Sequence, residues 1–230
     1  MKTAILVDGG FYQRRAQTLF GQKSAKDRAI ELSKYCHKHM NHHGKAREDD
    51  LYRIFYYDCP PMSRRVYHPF LKKEIDFGRT ELYTWMTDFL DELKKKRKFA
   101  LRLGKLSDTQ ACYTLSSDVI KKLCRGTMTI DDLTEDDFHI KVEQKGVDMK
   151  IGLDIASLAY KKQVERIILI SGDSDFVPAA KLARREGIDF ILDSMWAPVK
   201  PELHEHIDGL RSCCPRPKLK EKHIIGTAEK

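Results

Sequence analysis

The chain has 230 residues, of which 41% are hydrophobic and 33% are charged, and it carries a formal net charge of +8. This composition fits a folded domain with a sizeable core and excludes a disordered chain. The positive charge favours a polyanion as the partner, with RNA or DNA as the leading class.

The first part of the sequence predicts two strands that each end at an aspartate. Apolar runs at 3–7 and 51–57 have the composition of buried strands. The first ends in Asp8-Gly9-Gly10 and the second in Asp58-Cys59-Pro60-Pro61. Helices are predicted at 11–20, 27–40 and 64–93, with a loop at 41–50. Four clustered histidines (His37, His39, His42 and His43) are predicted to form a solvated helix end, because no further ligand completes a zinc site.

The middle of the chain predicts a sheet strand followed by an excursion. Residues 99–106 alternate between apolar and polar side chains, as a half-buried strand does. Residues 107–137 are rich in carboxylates and have no clear period, which predicts a mobile insertion beside the sheet. A strand at 138–142 is expected to pair with 99–106.

The last part predicts helix 148–162 and then a strand, an acidic turn, a helix and a second strand over 166–192. A short helix at 202–210 and a basic, flexible tail at 213–230 complete the chain, so the domain is expected to span 1–212. Five parallel-type strands with right-handed crossovers predict an α/β fold, a three-layer Rossmann-like sandwich with a mainly parallel sheet.

The cellular compartment is constrained by what the sequence lacks. No apolar run approaches the ~20 residues of a membrane helix. Asp8 interrupts the N-terminal apolar run too early for a signal peptide. The six cysteines form no CxxC pair, which predicts reduced thiols in a cytoplasmic protein.

Four aspartates (Asp8, Asp148, Asp173 and Asp175) lie where a predicted strand has just ended or a helix has just begun. These ends share one edge of a parallel sheet, so distant segments are expected to converge there. Like charges in close proximity repel unless a cation joins them. Oxygen ligands of this kind suit Mg²⁺ or Mn²⁺, which activate water for phosphodiester hydrolysis. The alternative is that Asp173 is a helix cap and Asp148 a favourable first-turn acid.

Four segments carry a family resemblance: ILVDGG at 5–10, YYDCPP at 56–61, KGVDMKIGLDI at 145–155 and LISGDSDFVPAAKLARREG at 169–187. In this order they resemble the NYN domain of LabA-like proteins, in the PIN-like nuclease superfamily. The segment ELHEHIDGL at 202–210 resembles the closing segment of these domains, with Asp208 at its acidic position. Many relatives carry asparagine where this chain has Phe11.

The resemblance implies a Mg²⁺- or Mn²⁺-dependent ribonuclease with Asp8, Asp148, Asp173 and Asp175 as catalytic metal ligands. It adds Asp154 as a second-tier ligand, although Asp154 has an alternative partner in Lys150 at i, i−4. RNA is the implied substrate, single-stranded DNA is an alternative, and the oligomeric state is open between monomer and homodimer. Candidate phosphate contacts are basic residues on four segments: Lys95, Lys96, Lys145, Lys150, Arg184 and Arg185.

Two other functions remain open at this point. The same fold can serve as a nucleic-acid-binding or regulatory module with little or no cleavage, and the Phe11 departure favours this alternative. A phosphatase of the haloacid dehalogenase type needs a second aspartate two residues after the first. Gly10 occupies that place.

Overall fold

The computed structural model describes residues 1–42, 45–46 and 50–217. Up to the middle of the chain the elements are β1 (Thr3–Asp8), α1 (Gly9–Phe20), α2 (Ala25–Lys38), β2 (Asn41–His42), β3 (Lys45–Ala46), β4 (Leu51–Asp58), β5 (Arg65–His68), β6 (Lys73–Asp76), α3 (Glu81–Lys94) and β7 (Phe99–Leu103). They continue with β8 (Lys105–Leu115), α4 (Ser117–Cys124), β9 (Phe138–Lys145), α5 (Val147–Tyr160), β10 (Arg166–Ile170), α6 (Val177–Arg185), β11 (Asp189–Asp193), α7 (Pro201–His204) and β12 (Gly209–Leu210).

The central sheet has six parallel strands in the order β12-β11-β10-β1-β4-β7. This confirms the predicted α/β fold and adds one strand to the expected five. The added strand replaces the second half of the helix predicted at 202–210, which ends at His204. Asp208 explains the change, because its N–H donates to Phe190 O and its Oδ2 accepts from Phe190 N–H. The two hydrogen bonds align the chain beside β11.

Two apolar layers cover the sheet, one on each face. In β1, Ala4 and Leu6 point to the layer formed with α5 and α6, whereas Ile5 and Val7 point to the layer formed with α1, α2 and α3. All four side chains are completely buried. A parallel strand covered on both faces reads as a continuous apolar run, and this is the pattern at 3–7. Within the described ranges, no helix is long and apolar enough to cross a bilayer.

The helix predicted at 64–93 is wrong over its first half. Residues 65–76 form an antiparallel hairpin of β5 and β6, and α3 begins only at Glu81. The side chains of β5 alternate in burial with period two, with Val66 and His68 buried. The turn between the strands holds Lys72 at a left-handed φ of 51°, which a helix cannot accommodate. Thr80 then caps α3 by accepting a hydrogen bond from Tyr83 N–H.

The excursion predicted at 107–137 contains regular structure. Strands β8 and β9 form an antiparallel ribbon that leaves the sheet after β7 and returns immediately before α5. Helix α4 lies at the far end of this ribbon. The strand predicted at 138–142 therefore pairs with β8 instead of β7. The ribbon contacts the β5–β6 hairpin through rings, with the centroids of His68 and Tyr113 4.1 Å apart.

The predicted solvated histidine cluster is wrong for His39, which is buried. Its Nε2 lies 2.8 Å from Asp193 Oδ2, and both side chains are completely inaccessible to solvent. Tyr35 donates its hydroxyl to the same Oδ2, and Met195 N–H donates to Oδ1. The buried Cys214 lies 3.7 Å from the Tyr35 hydroxyl, so packing continues into the segment predicted as a tail. Residues 218–230 of that tail, and His43, lie outside the described ranges.

We expect stability to fall at alkaline pH because of this buried pair. Burial alone would lower the pKa of His39, but interactions with Asp193 and Cys213 more than offset burial and raise it to about 9. The pKa of His39 is then higher in the folded chain than the ~6.5 of a histidine in an unfolded chain. Protonation of His39 therefore stabilises the folded state fully below about pH 6.5. This stabilisation is lost as the pH rises through about 9. The difference corresponds to roughly 3 kcal/mol.

Denaturant unfolding of the wild type and of His39→Gln across this pH range would measure the effect. Other groups also titrate in alkali, so the wild-type curve minus the His39→Gln curve isolates the imidazole. A difference that stays flat between neutral pH and about pH 10 would contradict the prediction.

Candidate functional site

The carboxyl ends of β1, β4 and β10 lie side by side in the sheet and carry acidic residues. Asp8 is the last residue of β1 and also the N-cap of α1. Its Oδ1 accepts a hydrogen bond from Phe11 N–H at 3.0 Å, and its Oδ2 accepts from the Ser171 hydroxyl at 3.0 Å. Burial raises the pKa of Asp8, and these two hydrogen bonds oppose that rise. The carboxylate is thus fixed in position at the edge of the sheet and is half-buried.

Asp58 ends β4 beside Asp8, and sequence reasoning did not include it in the site. It is 5% exposed, and its Oδ2 accepts a hydrogen bond from the Tyr56 hydroxyl at 2.8 Å. Burial raises the pKa of Asp58, and the charge of Asp8 adds to the rise. A Cβ at Gly9 would lie 2.5 Å from Asp58 Oδ2, so only glycine allows this approach. A carboxylate directly after a predicted strand was the available signal, the same one that identified Asp8.

The loop after β10 brings Asp173 and Asp175 to the same edge. The fully buried Ser171 joins them to β1, because its hydroxyl donates to Asp8 Oδ2 and accepts from Asp173 N–H at 3.3 Å. Asp173 caps the 3-10 turn Ser174–Phe176 through Oδ1, which accepts from Asp175 N–H. The capping alternative is therefore correct for one oxygen of Asp173. Both carboxylates remain exposed to solvent.

Asp148 lies in the first turn of α5 and faces the other acids. The pKa of Asp148 is raised first by partial burial and then by the negative charges of Asp8, Asp173 and Asp175. All four aspartates predicted from the sequence as primary ligands therefore share one electrostatic environment. Their mutual repulsion is the condition that a bound cation relieves.

The donor set suits a hard divalent cation without forming a closed cage. Within residues 1–42, 45–46 and 50–217, no three histidine, cysteine or acidic side chains are close enough to hold a metal ion. Mg²⁺ ordinarily retains several waters and binds through one or two carboxylates together with substrate phosphates. Acids spread around a crevice, all with oxygen donors, fit that mode of binding.

Asp154, the second-tier candidate, has other partners. Its Oδ2 accepts hydrogen bonds from the Tyr57 hydroxyl at 2.8 Å and from Arg102 Nε at 3.0 Å. Arg102 on β7 therefore takes the place that sequence reasoning offered to Lys150. These contacts tie α5 to β4 and β7, and a role for Asp154 in metal binding stays a prediction.

Of the six predicted phosphate contacts, two lie close to Asp148 in sequence. Lys145 ends β9 and Lys150 lies in the first two turns of α5, and both are exposed. Arg184 and Arg185 end α6, whose nine residues place them ~13 Å from the acidic edge. Arg184 is also paired with Asp208 at 2.8 Å.

Lys95 and Lys96 follow α3, shortly before β7 begins. They therefore lie toward the edge of the sheet where the strands start, opposite the acids. Lys95 is paired with Glu92 at 2.6 Å.

Arg14 is a cation of the site that sequence reasoning missed. It lies in the second turn of α1, six residues after Asp8, and its positive charge lowers the pKa values of both Asp8 and Asp58 against the effect of burial. A Cβ at Gly10 would lie 3.6 Å from Arg14 Nη1 and 3.7 Å from Asp8 Oδ1, so Gly10 leaves the space between them open. Arg14 forms no ion pair with any carboxylate in the part of the chain that the structure describes.

Known proteins provide a family match and a similar solved structure. A search of curated proteins found no match. A crystal structure of a protein of unknown function from Vibrio parahaemolyticus RIMD 2210633 is similar, with 14% sequence identity and a TM-score of 0.45 over 91% of this chain and 90% of that one. The family model of the NYN domain matches residues 89–206, which include Asp148, Asp173 and Asp175. The chain therefore belongs to the NYN domain family, within the PIN-like superfamily.

Proposed function

We propose that this chain is a ribonuclease that hydrolyses phosphodiester bonds of RNA in the presence of Mg²⁺ or Mn²⁺. The observation that carries the proposal is the convergence of Asp8, Asp148 and the Asp173/Asp175 loop. These acids come from three distant segments, and the pKa of Asp148 is raised by partial burial and by the charges of the other three. Membership of the NYN family supports a nuclease fold. The six free cysteines favour a reducing compartment, so we place the reaction in the cytoplasm.

In the proposed reaction, some residues bind the metal ion or the RNA, and others orient the residues that do so. Carboxylates of the set Asp8, Asp148, Asp173 and Asp175 would hold the metal ion together with water and substrate phosphate, and the bound ion would activate water and stabilise the leaving oxygen. Ser171 orients Asp8 and the Asp173 backbone together through its two hydrogen bonds. Lys145 and Lys150 contact flanking phosphates without reading the base, so single-stranded DNA is a second substrate to compare.

Cleavage of labelled RNA tests the proposal. Wild-type protein with Mn²⁺ should cleave, and chelation of the metal should stop cleavage. Asp173→Asn keeps an oxygen to cap the turn and removes one negative charge, so it should be strongly impaired. If Asp173→Asn cleaves as fast as the wild type, the activity belongs to a contaminant and the proposal is withdrawn.

A binding module without catalysis is the second candidate, and Phe11 is the observation that favours it. The ring of Phe11 packs against Gly172, where a Cβ would lie 2.7 Å from Phe11 Cε2. The ring thus occupies the turn where many relatives carry an amide. RNA bound by wild-type protein but left intact with either metal would favour this candidate. Hydrolysis of p-nitrophenyl phosphate that depends on Asp8 would instead indicate a phosphatase of the haloacid dehalogenase type.

We expect Arg14→Ala to lower kcat/KM for RNA by about 10- to 100-fold, the value of one charge-assisted hydrogen bond. The guanidinium stands across the open space at Gly10 from Asp8, where it can donate to a non-bridging oxygen of the scissile phosphate. Arg14→Lys should recover only part of the loss, because an ammonium cannot donate in the same planar fork.

Steady-state cleavage kinetics at fixed salt would check this prediction. Lys26→Ala is a matched control, since Lys26 is an exposed cation at the start of α2 and makes no contact with the acids. If Arg14→Ala and Lys26→Ala lower kcat/KM equally, Arg14 contributes only its positive charge and makes no specific contact with the phosphate.

A further inference from the structure

A cleft of about 540 Å³ opens between α3 and the connections that follow β4 and β7. It lies beside the acidic centre, by which we mean Asp8, Asp58, Asp148, Asp173 and Asp175. Its walls include Pro60, Pro61, Tyr83, Leu106 and Lys105. The volume lies within the range of ~300–1,000 Å³ found for small-ligand sites. None of the residues of the acidic centre lines it, so the cleft is a separate feature of the surface.

The cleft is directly joined to the acidic centre through the backbone. Gly104 lines the cleft, and its N–H donates to Asp58 O at 2.8 Å. Pro60 lies two residues after Asp58 on the opposite wall. A Cβ at Gly104 would lie 2.7 Å from Lys145 O and 3.1 Å from Cys59 Sγ, so Gly104 packs tightly against the end of β9 and against the connection after β4. The cleft therefore lies at the same edge of the sheet as Asp8 and Asp58, at the carboxyl ends of β4 and β7.

The lining combines an aromatic ring, apolar carbons and a surplus of positive charge. Tyr83 lies in the first turn of α3 and is partly exposed, with proline and leucine carbons on other sides. Lys94 and Asp91 also line the cleft and neutralise each other at 2.7 Å. Lys105 is exposed and has no ion pair among the described residues, which leaves one uncompensated cation.

We propose that this cleft binds an unpaired nucleotide of the RNA that flanks the scissile phosphate. The base would stack on Tyr83 against the proline wall, and Lys105 would contact the adjoining phosphate. Stacking on an aromatic ring tolerates any base but requires that the base be unpaired. The inference rests on the proposed ribonuclease function and narrows its substrate to single-stranded RNA.

Binding measured without divalent ions separates this inference from catalysis. The probe is a short fluorescent oligouridine, compared with an RNA duplex of equal length, by fluorescence anisotropy. Tyr83→Ala should weaken oligouridine binding by about 10-fold, the value of one base–aromatic stack, and Tyr83→Phe should bind as the wild type does. Lys105→Ala should lower the slope of log affinity against log salt by about 1.

Two control variants test whether the loss of binding is specific to residues of the cleft. Tyr160→Ala removes an exposed tyrosine at the far end of α5, and Lys26→Ala removes a remote lysine, and neither should change binding. Thermal unfolding of each variant confirms that it is folded. Unchanged affinity in Tyr83→Ala, or duplex binding as tight as oligouridine binding, would overturn the inference. If the cleft binds oligouridine as expected but the protein never cleaves RNA, the ribonuclease proposal is refuted and the nucleotide-binding cleft is retained.

Discussion

Asp8→Asn is expected to lower RNA cleavage by about 1,000-fold, because the metal loses a ligand whose contribution is several kcal/mol of charge stabilisation. The fold should survive this change. An asparagine oxygen still accepts the hydrogen bond from Phe11 N–H, and the Ser171 hydroxyl can accept from the new amide. Burial raises the pKa of Asp8, which means that the charged carboxylate destabilises the folded state. A neutral amide removes this destabilisation. The metal-free variant should therefore be at least as stable as the wild type.

Two measurements on the same samples check this prediction. Cleavage rates give the catalytic loss, and thermal unfolding with and without Mn²⁺ gives the metal-dependent stabilisation, which the variant should lack. Asp131→Asn is the control, since Asp131 is an exposed carboxylate in the excursion between α4 and β9. A variant that unfolds at a lower temperature than the metal-free wild type would show that Asp8 is needed for folding, and the catalytic interpretation would then fail.

Asp193→Ala should destabilise the protein by about 3–5 kcal/mol, the usual effect of removing one partner from a buried ion pair. The carboxylate is completely buried and accepts hydrogen bonds from Tyr35, His39 and Met195. Its loss removes the carboxylate partner of the buried His39 imidazole and leaves only Cys213 beside it, since Nδ1 has no hydrogen bond within the described part of the chain. Helix α2 and the loop after β11, which are distant in sequence, would lose their common contact.

Equilibrium denaturant unfolding at neutral pH would measure the change, with Asp189→Ala as the matched control. Asp189 lies at the other end of the same strand and pairs with Arg166 at 2.5 Å, but its side chain is 26% exposed. A partly exposed pair of this kind contributes about 1 kcal/mol or less. If the two variants lose equal stability, the buried cluster has no special importance.

The central sheet was predictable because its strands are apolar runs covered on both faces. Residues 3–7 were predicted and Thr3–Asp8 are observed. The convergence of Asp8, Asp148 and Asp173 was equally predictable, since parallel strands place their carboxyl ends at one edge. These features depend on local pattern and on one general rule of topology.

Other features depend on contacts between remote segments, which local pattern does not contain. His39 lies on a polar stretch of sequence, yet it is buried because Asp193, 154 residues away, reaches it from β11. The region 65–76 contains apolar residues at spacings compatible with a helix, but a turn at Lys72 folds it into a hairpin. Asp58 looked like the end of a strand, and only the close approach at Gly9 shows that it adjoins Asp8.

The hydrogen bond from Ser171 to Asp8 joins residues 163 positions apart. During synthesis, the first strand and its aspartate leave the ribosome long before β10 and the Asp173 loop exist. Until most of the chain has been translated, the emerging polypeptide contains only part of the acidic centre. The proposed nuclease can therefore assemble its acidic residues only after β10 has paired with β1.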